Sequence, residues 1–372
     1  MWACLGWAAR VCTTLLLAAV TIAPAKPAVA DDIRNRQWHL RFLNIAEAHR
    51  HSQGEGVVVG VIDTGVDATH PDLANAVLPG IDLTTTGRVG DGRTDIHGHG
   101  TVMAGLIAAR GHDRNAGVLG IAPKATILPV RVKRYLEPGG RVSEGIEWAV
   151  RNGARVICIA GSNDSTGTEM QQAIEAAIRA DVVVVAAAGN RPDDRTVSFP
   201  AAYPGVIAAA GVDQHGNHAS VSVTGPEVVL AAPAVDIVST YLGSRYSHGT
   251  GTSNATAIIA GAAALVRAKY PNLTATQVIH RLTATATDKG PPGRDEQYGY
   301  GVIDIVKALT ADVPPTPEPT AGTPARPSVA GPPHDPVPPA PPPRRGIPIG
   351  LLAASTLTLG LLAVAIAWYR RR

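Results

Sequence analysis

Between residues 37 and 309, short apolar runs alternate along the chain with stretches of helical periodicity. Continuous runs of Val, Ile, Leu and Ala separated by helices are typical of parallel strands that are buried on both faces of a sheet. The pattern therefore predicts an α/β fold, with a mostly parallel sheet covered by helices. The predicted strands are 57–62, 126–132, 156–160, 182–187 and 206–212, and the predicted helices are 101–110, 142–152 and 169–180, followed by an Ala-rich helix that opens near residue 252.

An apolar segment of a different kind lies at the start of the chain. Residues 11–23 follow Arg10 and lead to Ala28-Val29-Ala30, an arrangement typical of a secretory signal peptide. We predict a signal peptide over residues 1–30, cleaved after Ala30, and an uncleaved N-terminal anchor is the alternative. The signal places the following domain outside the cytoplasm.

A second apolar segment lies near the C-terminus. Residues 347–369 contain 23 positions without a charge, and arginines occupy 370–372. This length spans a bilayer with some tilt, and the arginines favour a cytoplasmic C-terminus. We predict one transmembrane helix over 347–369 in the cell membrane and a cytoplasmic tail over 370–372. A removable anchor-addition tail is the alternative, which the terminal arginines disfavour.

A proline-rich segment precedes this span. Residues 314–345 hold 14 prolines in 32 positions, a composition that favours extended polyproline II and cannot form a packed core. At ~3.1 Å per residue the segment reaches roughly 100 Å. We predict a linker over 311–346 that serves as a spacer through a cell wall. Recognition of this segment by a partner is the alternative.

Charge and cysteine content narrow the choice of function. The two end segments, 1–30 and 344–372, hold seven of the 33 basic residues and none of the 30 acidic ones, so the interior is net negative by four charges although the whole chain is +3. There is no basic stripe, and nucleic-acid binding is not expected. After signal removal only Cys158 remains, so no intrachain disulfide is expected. Its apolar neighbours indicate a buried thiol.

Four segments carry candidate chemistry. Asp63 directly follows an apolar strand run, His99 enters a helix, Asn190 ends the most apolar run, and Ser253 opens the Ala-rich helix. Each segment alone has a structural explanation as a turn or a helix cap, and the pair His97 and His99 is also compatible with metal binding. The segments are Val61-Ile62-Asp63-Thr64-Gly65-Val66-Asp67, His97-Gly98-His99-Gly100-Thr101-Val102-Met103-Ala104-Gly105, Ala187-Ala188-Gly189-Asn190 and Gly251-Thr252-Ser253-Asn254-Ala255-Thr256-Ala257.

The position of Ser253 at a helix start has chemical meaning. A serine hydroxyl is a poor nucleophile unless its surroundings activate it. Unpaired N–H groups and the helix dipole at an N-terminus stabilise negative charge that develops beside the serine. In addition, Asp63 and Asn190 follow strand runs, so both are expected at the carboxyl edge of the sheet, where functional groups gather.

In the order Asp, His, Asn, Ser, the four segments resemble the subtilisin-like serine proteases, with the similarity running over about residues 56–308. Further matching stretches are 117–123, 199–204 and 261–265. The resemblance implies a three-layer fold, a peptidase domain over 54–310 and hydrolysis of a protein or peptide substrate.

The whole architecture is similar to the mycosins, a membrane-anchored branch of that family that is linked to type VII secretion. Members have a leader, a short N-terminal extension, a peptidase domain, a Pro-rich linker and one C-terminal helix. Here the extension is 31–53, too short for a folded prodomain. The resemblance implies a type VII secretion membrane complex and the cytoplasmic membrane as partners. Mycosins generally carry disulfides in the peptidase domain, whereas this chain is expected to have none.

The resemblance also implies a role for each residue. Ser253 attacks the peptide carbonyl, and His99 accepts its proton as general base and then protonates the leaving amine. Asp63 holds His99 in the required tautomer. The Asn190 side chain and the Ser253 N–H bind the oxyanion. His99 is chosen over His97 because it directly precedes Gly100, as the family motif requires.

Substrate binding is assigned to two segments. The usual Ser-Leu-Gly strand of the family is replaced by Ala160-Gly161-Ser162, whose backbone is expected to pair with an extended peptide. Gly189 and Arg191 flank Asn190, and Arg191 is expected to favour acidic or polar side chains in the first specificity pocket, unless Asp193 and Asp194 neutralise it.

Other positions depart from the family or lack an assignment. Ala257 stands where the family usually has Pro and allows a regular helical turn, and Asn254 replaces a commonly apolar residue. Asp67 and Asp72 are available carboxylates, but we predict no metal and no cofactor.

Two other functions compete with the serine protease. The first is a structural stabiliser of a membrane secretion complex with weak or no catalysis. The second is a carbohydrate-binding or peptide-binding module on a cell-wall stalk, which leaves the coincidence of the four segments unexplained.

Overall fold

The computed structural model describes residues 32–84, 90–113, 116–132, 141–161 and 167–314. Within these ranges no helix is both long and apolar enough to cross a membrane. The predicted signal peptide, the predicted span 347–369 and the linker from residue 315 onward lie outside the described residues.

The described chain alternates strands and helices. The strands are β1 (Val58–Asp63), β2 (Ile81–Asp82), β3 (Arg110–His112), β4 (Ala116–Leu119), β5 (Thr126–Arg131), β6 (Val156–Ile159), β7 (Val183–Ala187), β8 (Ile207–Val212), β9 (Val228–Pro233), β10 (Ile237–Tyr241) and β11 (Arg245–Gly249). The helices are α1 (Asp32–Arg36), α2 (Trp38–Phe42), α3 (Ile45–Ala48), α4 (His99–Ala108), α5 (Val142–Arg151), α6 (Thr168–Arg179), α7 (Thr252–Lys269), α8 (Ala275–Ala284) and α9 (Ile305–Thr310). The predicted strands and helices are confirmed, with small shifts at their ends.

Seven strands form one sheet in the order β2-β5-β1-β6-β7-β8-β9, and every neighbouring pair is parallel. The strands β3 with β4 and β10 with β11 form two separate antiparallel pairs. The strands β1, β6 and β7 are direct neighbours, so their carboxyl ends meet at one edge of the sheet. This edge is where a parallel sheet collects functional groups.

Alternation of side chains along each strand divides the core into two layers. In β6, Val156 and Cys158 face the hydrophobic cluster formed with α4 and α7, whereas Ile157 and Ile159 face the cluster formed with α5 and α6. The sheet is therefore covered on both faces, and the expected α/β architecture with three layers is present. Cys158 is fully buried, and burial together with the charge of Asp63 raises the pKa of its thiol, so it remains a protonated core residue as predicted.

The extension before the first strand is part of this core. Its residues Leu43, Ile45 and Ala48 are buried in the same cluster as α4 and α7. Arg34 Nε donates to Gly117 O at 2.8 Å, and the Gln37 amide donates to Leu119 O at 3.0 Å while accepting from the Leu119 N–H at 2.9 Å. The extension is thus fixed to the domain by its apolar side chains and by hydrogen bonds to the β4 backbone.

Candidate active site

Asp63 and His99 lie in direct contact at the edge of the sheet. Asp63 ends β1 and its side chain is 1% exposed, whereas His99 begins α4 and its side chain is 41% exposed. His99 Nδ1 lies 2.8 Å from Asp63 Oδ1 and 2.9 Å from Oδ2. Because an ionised carboxylate only accepts hydrogen bonds, Nδ1 carries the proton, and Nε2 is the basic nitrogen of the neutral ring.

Asn190 follows β7, and the start of α7 fixes its side chain. Its Oδ1 accepts from the Thr252 N–H at 2.9 Å and from the Thr252 hydroxyl at 3.3 Å. The amide orientation follows from these two donors, which leaves Nδ2 as the donating end. Nδ2 has no acceptor among the residues that the structure describes.

Ser253 is the second residue of α7 and is half-buried. Its N–H belongs to the first helical turn, where backbone donors have no partner within the helix. A Cβ built on Gly251 would lie 3.4 Å from both Ser253 Oγ and Asn190 Oδ1, and 3.6 Å from Asn190 Nδ2. The serine hydroxyl and the asparagine amide therefore flank the same point beside Gly251.

The loop that carries Asn190 is stabilised by a carboxylate. Asp194 Oδ2 accepts from the Asn190 N–H at 2.6 Å, and Asp194 Oδ1 accepts from the Ser198 hydroxyl at 2.9 Å. Gly189 has a φ of 118° and a Cβ there would meet Asp194 at 2.9 Å, so the turn requires glycine. Sequence reasoning considered Asp194 only as a neighbour of Arg191.

The predicted substrate-binding residues occupy the same edge of the sheet. Ala160 and Gly161 directly follow β6, between the ends of β1 and β7. Ser162 lies outside the described residues. The Arg191 side chain is exposed, and its Nη2 donates to Thr224 Oγ1 at 3.0 Å.

Two of the positions that depart from the family pattern, Asn254 and Ala257, are buried in α7. Asn254 is 3% exposed and its Nδ2 donates to Ala234 O at 3.2 Å and to Gly249 O at 3.0 Å. Ala257 is fully buried within a helix that runs without interruption to Lys269. Asn254 thus connects the helix start to two strand ends, a function that its neighbours in the sequence do not reveal.

The carboxylates that were considered for a metal have protein partners. Asp72 is fully buried, and it accepts from His112 Nδ1 at 2.5 Å and from the Val118 N–H at 2.7 Å. Asp67 accepts from the Thr69 hydroxyl at 2.5 Å. Among the described residues no group of three or more His, Cys, Asp or Glu side chains is arranged to hold a metal ion.

One further carboxylate near the site was missed. Asp95 is buried and binds the N-terminal turn of α4. Its position gave little signal in the sequence, because it lies well before the predicted helix 101–110 and the N-cap position of α4 is Gly98.

The fold and this group of side chains define a class of hydrolase, the subtilisin-like serine proteases. The model of the subtilase family, Peptidase_S8, matches residues 54–301, and the chain belongs to that family. The thermostable alkaline protease of Halalkalibacterium halodurans is 39% identical over 274 residues, which cover 73% of each chain. Subtilisin DY of Bacillus licheniformis is 40% identical over 261 residues, or 69% of this chain and 92% of that protein.

Solved structures of mycosins are also similar. The structure of MycP1 from Mycobacterium smegmatis has a TM-score of 0.66 and 29% identity, covering 78% of this chain and 88% of that one. MycP3, a protease from the type VII (ESX-3) secretion system, has a TM-score of 0.63 and 34% identity, covering 74% and 88%. The protein is therefore a subtilisin-like serine protease related to the mycosins.

Proposed function

We propose that this protein is a membrane-anchored serine endopeptidase that acts outside the cytoplasm through a triad of Asp63, His99 and Ser253. Ser253 Oγ attacks the substrate carbonyl while His99 Nε2 takes its proton. Asp63 holds the imidazole in place and stabilises its charged form. The tetrahedral oxyanion accepts hydrogen bonds from Asn190 Nδ2 and the Ser253 N–H, and collapse to the acyl-enzyme transfers the proton from His99 to the leaving amine. Water then hydrolyses the acyl-enzyme by the reverse proton path.

The contact between Asp63 and His99 is the observation that carries the proposal. A buried carboxylate that holds Nδ1 at 2.8 Å leaves Nε2 as the base of a half-exposed imidazole ring. The Asn190 amide supports it independently, because its oxygen is bound to Thr252 and its donor group lies beside Ser253. If Asn190 served only to stabilise the fold, its Nδ2 would not need to lie beside Ser253 without an acceptor among the described residues.

The peptide substrate is proposed to lie along the sheet edge. Gly161 follows β6 and is half-buried, so its backbone can pair with an extended peptide whose scissile bond lies towards Ser253. Arg191 is proposed to favour acidic or polar side chains before the cut, because its exposed guanidinium has Thr224 as a neutral partner.

Location and context rest on the sequence and on the relatives. The predicted signal peptide over residues 1–30 and the apolar segment 347–369 support export and a single membrane anchor with the catalytic domain outside. Similarity to MycP3 from a type VII secretion system supports a role beside such a membrane complex.

Labelling by a fluorophosphonate probe tests the catalytic proposal. We expect the full-length protein to be phosphonylated, and Ser253→Ala to be unlabelled although it is folded. Ser247→Ala is the matched control, because Ser247 lies in β11 and has no proposed role. Absence of labelling in the wild type, or equal labelling of Ser253→Ala, would contradict the triad.

A further inference from the structure

Asp95 is a buried carboxylate at the start of α4, with 8% of its surface exposed. Its Oδ1 accepts from the backbone N–H groups of His97 and Gly98, both at 2.9 Å. Its Oδ2 accepts from the N–H and the hydroxyl of Thr101 at 3.0 and 2.7 Å. No basic side chain pairs with it in the described ranges, so its charge is balanced by these donors and by the positive end of the helix.

The Thr64 hydroxyl connects this carboxylate to the proposed triad. It donates to Asp95 Oδ1 at 3.0 Å and accepts from the Gly100 N–H at 3.0 Å. Thr64 directly follows Asp63, and Gly100 directly follows His99. One hydroxyl therefore joins the end of β1 to the start of α4, at the two peptides adjacent to the carboxylate–imidazole pair.

The backbones around this hydroxyl are in van der Waals contact. A Cβ on Gly65 would lie 2.1 Å from Thr94 O, and a Cβ on Gly100 would lie 2.0 Å from Gly65 O. The segment that carries Asp95, the strand end and the first helical turn are packed without intervening side chains. A change in the Asp95 hydrogen bonds is therefore transmitted to the backbone that carries His99, because no flexible side chains lie between these backbones to take up the displacement.

We propose that Asp95 is a positioning residue that, through Thr64 and the first turn of α4, sets the location of the His99 imidazole relative to Asp63. This inference rests on the proposed function, in which His99 is the general base. Only a carboxylate suits the site, because both of its oxygens accept. An amide at this position directs an NH₂ group at the N–H of Thr101 or at those of His97 and Gly98, so at least one backbone donor loses its partner.

The experiment compares the full-length wild type with Asp95→Asn. The second-order rate constant of fluorophosphonate labelling is measured across the pH range in which imidazole titrates, and Tm is measured in parallel. We expect Asp95→Asn to lower the rate constant on the order of tenfold or more, because small displacements of catalytic groups are costly. We also expect the midpoint of its pH profile to shift. Unchanged rate and midpoint in a folded variant with a lower Tm would overturn the inference.

Two further variants keep the test decisive. Asp304→Asn is the matched control, because Asp304 caps α9 by accepting from the Lys307 N–H at 2.9 Å, and its labelling is expected to match the wild type. If Asp95→Asn does not fold, Thr64→Val and Thr64→Ser replace it. Thr64→Ser keeps the hydroxyl and is expected to label faster than Thr64→Val, and equal rates for the two would overturn the inference. Failure of the wild type itself to label at Ser253 contradicts the proposed function instead, so the two failures are distinct.

Discussion

The side-chain oxygen of Asn190 accepts a hydrogen bond from the Thr252 N–H at 2.9 Å. This bond joins the end of β7 to the first residue of α7 and turns Nδ2 of the same amide towards the surroundings of Ser253. A single amide group thus contributes an acceptor to the fold and a donor to the proposed oxyanion site.

Replacing Asn190 by Ala is expected to lower kcat by about 10²- to 10³-fold, since loss of one oxyanion donor costs roughly 3 kcal/mol of transition-state stabilisation. KM is expected to change little, because the donor acts mainly on the charge that develops in the transition state. Both constants are measured with a peptide selected from a cleavage library. Asn217→Ala, in a turn after β8, is the control. Wild-type kcat in Asn190→Ala would remove Asn190 from the mechanism.

Asn254 is expected to matter for stability. Its Nδ2 donates to Ala234 O and Gly249 O in a buried environment, so Asn254→Ala removes both of these bonds, although Ala234 O still accepts from the Gly251 N–H at 3.0 Å. We expect the free energy of unfolding to fall by about 1 to 3 kcal/mol, as measured by urea denaturation. Exposed Asn272→Ala is expected to change it by less than about 0.5 kcal/mol. An equally small effect of Asn254→Ala would show that these two bonds are replaceable.

Five of the seven strands of the main sheet could be predicted because they are buried on both faces, whereas the equally apolar strand Val228–Pro233 was missed. Runs such as Val183–Ala187 are continuously apolar, and burial on two faces leaves no polar alternation to confuse the assignment. The hairpin strand Arg245–Gly249 was missed because it is polar and partly exposed. The strand Ile81–Asp82 was missed because two residues carry no periodicity.

The candidate site could be predicted only where its residues lie in local sequence motifs. Asp63, His99, Asn190 and Ser253 each lie in a short recognisable segment. The supporting interactions join segments distant in the chain, such as Asp95 with Thr64 and Asn254 with Ala234. No local pattern encodes these pairings, because they depend on the register of strands and helices in the folded protein.

A buried arginine provides a test of charge pairing away from the site. Arg267 is 3% exposed, and its Nη1 donates to Asp181 Oδ2 at 3.0 Å and to Leu273 O at 2.8 Å. Asp181→Ala leaves the guanidinium buried without its counter-charge, and we expect the free energy of unfolding to fall by about 2 to 3 kcal/mol. The loss stays within this range because Asp181 itself is half-exposed and its charge is partly screened by solvent. Arg155→Ala removes the exposed partner of the same carboxylate, and its expected cost is below about 1 kcal/mol. Equal losses in the free energy of unfolding for both variants, measured by urea denaturation, would contradict the assignment of Asp181 as the counter-charge of the buried Arg267.

His39 in α2 is a histidine buried in the folded domain. It is fully buried, and neither ring nitrogen has a hydrogen-bond partner within the described residues. Burial, with a smaller contribution from the charge of Arg41, lowers its pKa from 6.5 to about 3. The unfolded chain therefore binds a proton below pH 6.5 that the folded protein rejects until about pH 3. Stability is retained above the unfolded pKa and is lost as the pH falls through this window.

Replacing His39 by Leu is expected to remove this loss. In the wild type, the neutral buried ring contributes a decrease of up to about 1.4 kcal/mol in the free energy of unfolding for each pH unit below the unfolded pKa. Urea denaturation at neutral and at mildly acidic pH measures how far the free energy of unfolding falls between the two conditions. We expect this fall to be smaller in His39→Leu than in the wild type by up to about 1.4 kcal/mol per pH unit. His215→Gln, at an exposed position, is the control and is expected to keep the wild-type slope. An unchanged slope in His39→Leu would show that other groups cause the acid sensitivity, and that the docked N-terminal extension does not respond to pH through His39.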